Sequence, residues 1–210
     1  LRAGQAERER WRGRLHIDWG PIPGAYGWVF PKDDQLTVGV IAARERGDEA
    51  RRYLQRFVDR LGLAGAEVLR DSGHLTRCRA EDSPLYRGRV VLAGDAAGLL
   101  EPWTREGISY ALRSGALAGE AAAAAARTPG DATPALEAYR TAVTDLLGGE
   151  MAAGRRLLAA FERHPGLVHA ALATPPGWRA FQRFCRGEVT FASLLARAPV
   201  RRLVSALTRR

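Results

Sequence analysis

The chain has 210 residues, of which 46% are hydrophobic and 26% are charged, a composition that suits one domain with a sizeable core or two smaller ones. Its formal net charge is +9, nearly all of the basic residues being arginine. These arginines are scattered and do not alternate with aromatic residues along one stripe, so we expect no nucleic-acid partner. No apolar stretch approaches the ~20 residues of a spanning helix, and the opening residues lack the apolar segment of a signal peptide, so we expect a cytoplasmic protein.

The first part of the chain is predicted to form a three-stranded antiparallel meander followed by one helix. Residues 14–19 alternate apolar and polar side chains, residues 25–31 are rich in aromatic residues, and residues 35–42 are rich in β-branched residues. A Pro-Lys-Asp-Asp sequence supplies the turn between the last two segments. Residues 48–62 then carry apolar side chains at helical spacing, which predicts an amphipathic helix.

The middle of the chain combines a strand, a glycine-rich turn and a helix. After weak alternation over 66–79, an apolar strand is predicted at 89–93, and the sequence Gly-Asp-Ala-Ala-Gly follows at 94–98. An Ala- and Gly-rich helix begins near Arg105. The glycines allow a ligand close to the backbone, Asp95 offers acceptor oxygens, and the helix start presents unpaired N–H groups. These features suit a ligand with both a polyol and an anionic group.

The last part of the chain is predicted to be helical. Residues 127–134 read as a turn-rich linker, and 135–163 as a long helix bent near Gly148. The final residues, 200–210, carry an apolar stripe flanked by arginines. Two interpretations of this tail stay open: it packs on the preceding helices, or it lies on an anionic membrane surface.

Two motifs in the sequence indicate a cofactor-binding protein. The Gly-Asp-Ala-Ala-Gly turn, followed by Pro102 and by Arg-Glu-Gly-Ile at 105–108, resembles the second FAD-binding motif of p-hydroxybenzoate hydroxylase-type flavoproteins. Upstream, the sequence 23–40 is similar to the Tyr-x-Trp-x-Phe-Pro signature of the geranylgeranyl reductase family, followed here by Val38-Gly39. The two signatures occur in the family's order. The chain is therefore identified as similar to the C-terminal half of a geranylgeranyl reductase.

The resemblance implies an FAD-dependent oxidoreductase that reduces carbon–carbon double bonds of an isoprenoid lipid or diphosphate. NAD(P)H or an electron-carrier protein would be the reductant, and peripheral membrane contact is a further expectation. The residues expected to bind the cofactor are Gly94, Asp95, Ala96, Gly98, Pro102, Glu106, Gly107 and Ile108. The resemblance also implies substrate contact for Tyr26, Trp28, Phe30 and Pro31. Tyr26, Trp28 and Phe30 would share one face of a strand, because side chains alternate between its two faces. No catalytic residue or proton donor is assigned.

Two features qualify this assignment: Arg105 and the aromatic residues of 26–30. Arg105 stands where the family's turn commonly has glycine, and we expect its side chain to point to solvent rather than toward the flavin C2 carbonyl. Without the resemblance, the three aromatic residues Tyr26, Trp28 and Phe30 are more typical of a sheet core than of a ligand-contacting wall. The resemblance reverses this preference. His16 and His74 have no partner at ligand spacing, and Cys78 and Cys185 stand far apart, so we expect neither a metal site nor a disulfide.

The expected fold class is α+β: an antiparallel substrate-domain sheet over 1–84, the returning strand and helix of an FAD-binding domain over 85–127, and a helical region over 128–210. No Gly-x-Gly-x-x-Gly turn for the dinucleotide half is present. We therefore interpret the chain as a truncated fragment or one chain of a split enzyme, and expect it to be inactive alone. The alternatives are half of a flavin monooxygenase, or a non-catalytic fragment or partner subunit.

Overall fold

The computed structural model describes residues 1–128 and 130–208. The chain divides into two units, Leu1–Leu75 and Thr76–Arg210. Both units contain antiparallel strands, and the second unit ends in helices. These features confirm the predicted α+β class with a helical C-terminal region. The predicted three-part division at 84 and 127 stays a prediction.

The first unit contains the predicted meander. Strands β1 (His16–Asp18), β2 (Tyr26–Lys32) and β3 (Gln35–Ile41) pair antiparallel in chain order. Helix α2 (Gly47–Arg60) follows them close to its predicted position. Helix α1 (Gln5–Trp11) was not predicted, because its charged sequence carries no apolar periodicity to mark it.

The core of the first unit lies between α2 and one face of the sheet. Tyr53 and Phe57 are both buried on α2, and a side chain at Gly27 of β2 would collide with them. Val29, also on β2, is fully buried. The Tyr53 hydroxyl lies 2.9 Å from the Asp18 carbonyl oxygen and 2.8 Å from its Oδ1. The even-numbered residues of β2, Tyr26, Trp28 and Phe30, therefore face away from this core, since side chains alternate along a strand.

The second unit begins with little sheet and continues as helices. Strands β4 (Tyr86–Arg87) and β5 (Val90–Val91) form one two-residue pair. Helix α3 (Ile108–Arg127) is followed by α4 (Thr133–Val143), a π-helical segment over Thr144–Gly148, and α5 (Gly149–Arg163). The predicted bend near Gly148 thus corresponds to a single π-helical turn between two α-helices, the short form in which this rare helix type mostly occurs.

Four shorter helices end the second unit. They are α6 (Pro165–Ala173), α7 (Pro175–Cys185), α8 (Phe191–Ala196) and α9 (Ala198–Thr208). Val204 of α9 is buried, and Arg156 of α5 donates a 2.9 Å hydrogen bond to the Ser205 hydroxyl. These contacts support the packing interpretation of the tail. None of the helices over the described residues is both long and apolar enough to cross a membrane.

Candidate functional site

The glycine-rich turn that follows β5 has a backbone conformation that requires glycine. A 3₁₀ turn over Gly94–Ala97 ends at Gly98, which has a left-handed φ of 65°. Arg79 donates its backbone N–H to the Gly98 carbonyl at 2.9 Å, and a Cβ at Gly98 would lie 2.8 Å from the same Arg79 nitrogen. Glycine is needed here both for the left-handed conformation and for the close approach of this second segment.

Helix α3 packs directly on the first residue of this turn. Gly94 has a φ of 51°, and a Cβ there would lie 3.0 Å from the Cβ of Ala111. The Gly94 N–H donates to the hydroxyl of fully buried Ser114 at 3.0 Å. This packing holds the turn against the helix and leaves Asp95 exposed.

An open pocket of about 630 Å³ lies between the turn and the start of α3. Its lining residues are Thr76, Ala93, Gly94, Asp95, Leu100, Arg105, Gly107, Ile108 and Ala111. Four of the residues expected to bind the cofactor therefore line one pocket: Gly94, Asp95, Gly107 and Ile108. Ala96 is exposed and Gly98 is buried, both outside this lining.

Pro102 and Glu106 also lie outside the lining of the pocket. The Glu106 carboxylate accepts hydrogen bonds from the Ser109 backbone N–H at 2.8 Å and from its hydroxyl at 3.0 Å. It therefore caps the first turn of α3, where a negative charge is favoured by the helix dipole. Pro102 is buried near Gly154 of α5, at which a Cβ would lie 2.9 Å from the proline Cδ.

A buried carboxylate organises the loop between the turn and α3. Glu101 is only 3% exposed, and its Oε2 accepts hydrogen bonds from the Trp103 N–H at 3.0 Å and the Thr104 hydroxyl at 2.8 Å. Its Oε1 has no hydrogen-bond partner among the described residues. Burial raises the pKa of Glu101, because the charged form loses its hydration, although the Thr104 and Trp103 hydrogen bonds oppose this shift.

The aromatic residue of this loop packs away from the pocket. The Trp103 ring stacks on Phe191 of α8 at 5.5 Å between centroids and lies 5.6 Å from Phe161 of α5. The loop is thereby fixed to the helical region rather than covering the pocket with its indole.

The expectation that Arg105 points to solvent is wrong. Arg105 has a left-handed φ of 58°, it lines the same pocket as Asp95, and its Nη1 donates to the Cys78 sulfur at 3.0 Å. The physical reason is the backbone: in the left-handed conformation the Cα–Cβ bond points in a different direction from that of a right-handed residue.

The aromatic residues of β2 form a separate feature in the first unit. Neighbouring ring centroids lie 5.8 Å apart for Tyr26 and Trp28 and 6.2 Å apart for Trp28 and Phe30. Phe30 is 38% exposed, whereas Val29 is fully buried. The three rings therefore cover the sheet face opposite the α2 core. The Trp28 ring lies against Gly39 of β3, where a side chain would collide with it.

The sequence interpretation missed several pocket residues. Thr76, Ala93 and Leu100 carry no motif that marks them, and the structure places them along the pocket. Arg105 could have been recognised, because a non-glycine residue at a position that favours glycine suggests a left-handed backbone. No group of three or more His, Cys, Asp or Glu side chains within residues 1–128 and 130–208 could hold a metal ion.

Comparisons with known proteins identify relatives over about half of the chain. A digeranylgeranylglycerophospholipid reductase of Methanosphaera stadtmanae is 33% identical over 135 residues, 60% of this chain and 32% of the relative. A chloroplastic geranylgeranyl diphosphate reductase of Oryza sativa is 31% identical over 116 residues, 52% of this chain and 24% of the relative. An uncharacterized protein of Methanosarcina barkeri is 36% identical over 106 residues, 50% of this chain and 27% of the relative.

Two further comparisons gave no match. No family model matches the chain, and no solved structure matches it. The matched region spans about a quarter to a third of the length of these curated relatives. Through this shared region the chain is similar to geranylgeranyl reductases and corresponds to part of the length of these relatives.

Proposed function

We propose that this chain supplies the flavin-contacting turn and the isoprenoid-contacting sheet of an FAD-dependent reductase of carbon–carbon double bonds. The observation that carries the proposal is the pocket at the Gly-Asp-Ala-Ala-Gly turn, where Asp95 is exposed at a glycine-lined surface. The names of the relatives support the same reaction class. They give no support to the monooxygenase alternative.

The residues around the pocket fit the polyol part of FAD. Gly94 and Gly107 leave room that a side chain would occupy, since a Cβ at Gly107 would lie 3.1 Å from Asp95 Oδ1. Asp95 would accept a hydrogen bond from a ribityl hydroxyl, and the first N–H groups of α3 would face the ring system. Ile108, 76% exposed, would give the ring an apolar contact.

When bound, reduced FAD would supply a hydride to one alkene carbon, and a proton would reach the other carbon. The residues of this chain would bind and orient the cofactor. Asp95 would hold the polyol, and the Glu106 carboxylate would keep the first turn of α3 in place through Ser109. Precise positioning is what such a site contributes, because the bond-making chemistry belongs to the cofactor.

The substrate side of the proposal concerns the first unit. Tyr26, Trp28 and Phe30 present adjacent rings on the sheet face that is not covered by α2. Such an apolar face suits a flexible isoprenoid chain, which has no polar groups to satisfy along its length. We propose a geranylgeranyl lipid or geranylgeranyl diphosphate as substrate, with NAD(P)H or an electron-carrier protein as the source of electrons.

Flavin binding by the purified chain tests the proposal. FAD is added to the chain, and binding is measured by flavin fluorescence quenching and by the visible absorbance retained after desalting. Asp95→Ala should weaken binding at least tenfold, because a charge-assisted hydrogen bond contributes about 1.5–3 kcal/mol. Asp145→Ala is the matched control, since Asp145 is an exposed carboxylate of the same unit away from the pocket.

Either of two results would reject the site. One is wild-type chain that binds no FAD, and the other is equal weakening by both variants. For a chain that binds, oxygen uptake and the mass of the lipid product separate the two chemistries. Saturation adds two hydrogens per double bond without oxygen incorporation, whereas a monooxygenase would add oxygen.

A further inference from the structure

Arg105 adopts a left-handed backbone conformation within a tightly bonded loop. Among the described residues, only Asp33 and Arg105 combine a side chain with a positive φ, and Arg105 has a φ of 58°. Its N–H donates to the Glu101 carbonyl at 2.8 Å, and the Glu101 N–H donates to the Glu106 carbonyl at 2.9 Å. A non-glycine residue in this conformation costs about 1–2 kcal/mol. It persists only where the surrounding structure holds it, as these hydrogen bonds do.

The charge of Arg105 lies at the pocket without a carboxylate partner. Its guanidinium is half-buried and donates to the Cys78 sulfur at 3.0 Å. No ion pair within 4.0 Å joins Arg105 to an acidic side chain anywhere in the described parts of the chain. Sulfur is a weak acceptor, so this partner compensates poorly for the lost hydration of the cation. An anionic ligand in the pocket would compensate for it far better.

We infer that Arg105 is a cofactor-contacting residue whose guanidinium faces the redox-active ring of the flavin and stabilises the negative charge of its reduced form. The inference rests on the proposed function. Asp95, on the same lining, would repel a pyrophosphate but would accept hydrogen bonds from neutral hydroxyl groups. Arg105 lies three residues before α3, whose N-terminal dipole also favours negative charge. Both positive groups therefore act at the end of the pocket proposed for the ring.

The substitution Arg105→Gly tests this role without lowering the free energy of unfolding. Glycine adopts the observed φ at no steric cost, so the variant removes the charge and relieves backbone strain together. Arg113→Gln is the matched control, because Arg113 is an exposed residue of α3 that does not line the pocket. The dissociation constant is measured for oxidised and for reduced FAD, and the midpoint potential of the bound flavin is measured by equilibration with redox dyes.

The expected result is selective for the reduced cofactor. Arg105→Gly should weaken the binding of reduced FAD about tenfold more than that of oxidised FAD, which lowers the midpoint potential by about 30 mV for a two-electron couple. Arg113→Gln should leave both constants and the potential near their wild-type values. The melting temperature of Arg105→Gly should equal or exceed that of the wild type.

Three other outcomes would overturn the inference. Equal weakening of oxidised FAD, reduced FAD and ADP would assign Arg105 to a phosphate instead of the ring. Unchanged binding and potential in a chain that does bind FAD would show that Arg105 makes no contact with the cofactor and would leave the proposed function intact. A wild-type chain without FAD binding would reject the proposed function and this role together.

Discussion

Gly107 and Gly115 both lie at or in helix α3, yet alanine should have opposite effects at the two positions. Gly107 precedes the helix with an ordinary φ of −131°, so its backbone conformation does not require glycine. Glycine is required here because there is no room for a side chain. An added Cβ would collide with the side chain of Leu100, which is only 2% exposed, and would lie 3.1 Å from Asp95 Oδ1. At Gly115 an added Cβ would meet no atom within 4 Å.

The magnitudes follow from these surroundings. Overpacking at Gly107 costs about 1–3 kcal/mol, and reduced freedom of the unfolded chain returns about 0.4–1 kcal/mol, so Gly107→Ala should lower the free energy of unfolding by about 1–2 kcal/mol. Gly115→Ala should raise it by about 0.5–1 kcal/mol, because alanine favours the helix and nothing obstructs it.

Urea unfolding of both variants, followed by circular dichroism, measures the difference. The slope of unfolding free energy with urea should be unchanged, so that the midpoint reports stability. Gly107→Ala should also bind FAD more weakly than the wild type, because Leu100 and Asp95 must move. The reasoning is refuted if Gly107→Ala is as stable as the wild type, or if Gly115→Ala is destabilised.

Three further predictions concern buried polar groups. Tyr53→Phe should cost about 1 kcal/mol of unfolding free energy, because the hydroxyl donates to Asp18; no loss in urea unfolding would contradict it. Tyr110→Phe should be neutral or stabilising in the same assay, because this buried hydroxyl has no hydrogen-bond partner among the described residues. A clear loss of unfolding free energy would contradict this and would reveal a partner such as bound water. Glu101→Gln should flatten the dependence of stability on pH. Burial raises the pKa of Glu101, so the native state keeps its proton where the unfolded chain releases it. This contribution is complete below the ordinary pKa of glutamate and is lost as pH rises through the raised native value. Urea midpoints measured across that window should fall in the wild type and stay level in the variant, and parallel curves would refute the assignment.

Local patterns in the sequence were sufficient for the first unit's meander and for α2. Alternating side chains and the Pro-Lys-Asp-Asp turn specify antiparallel strands, and helical spacing specifies an amphipathic face that must be buried. The strand predicted at 89–93 is shorter in the structure, Val90–Val91, because a strand extends only as far as a neighbour pairs with it. Among the described residues, only Tyr86–Arg87 pairs with it. Helix α1 was missed because its sequence has no apolar period.

The sequence alone determined which residues could form a ligand pocket at the glycine-rich turn. Gly94, Asp95, Gly107 and Ile108 were identified from residue chemistry and motif resemblance, and the structure gathers them along one pocket. Only the tertiary structure determined where the neighbouring side chains lie. Trp103 packs in the helical region, Glu106 caps α3, and Arg105 lines the pocket. The physical reason is that a motif specifies chemical groups and local backbone freedom, whereas side-chain direction depends on packing between segments distant in the chain.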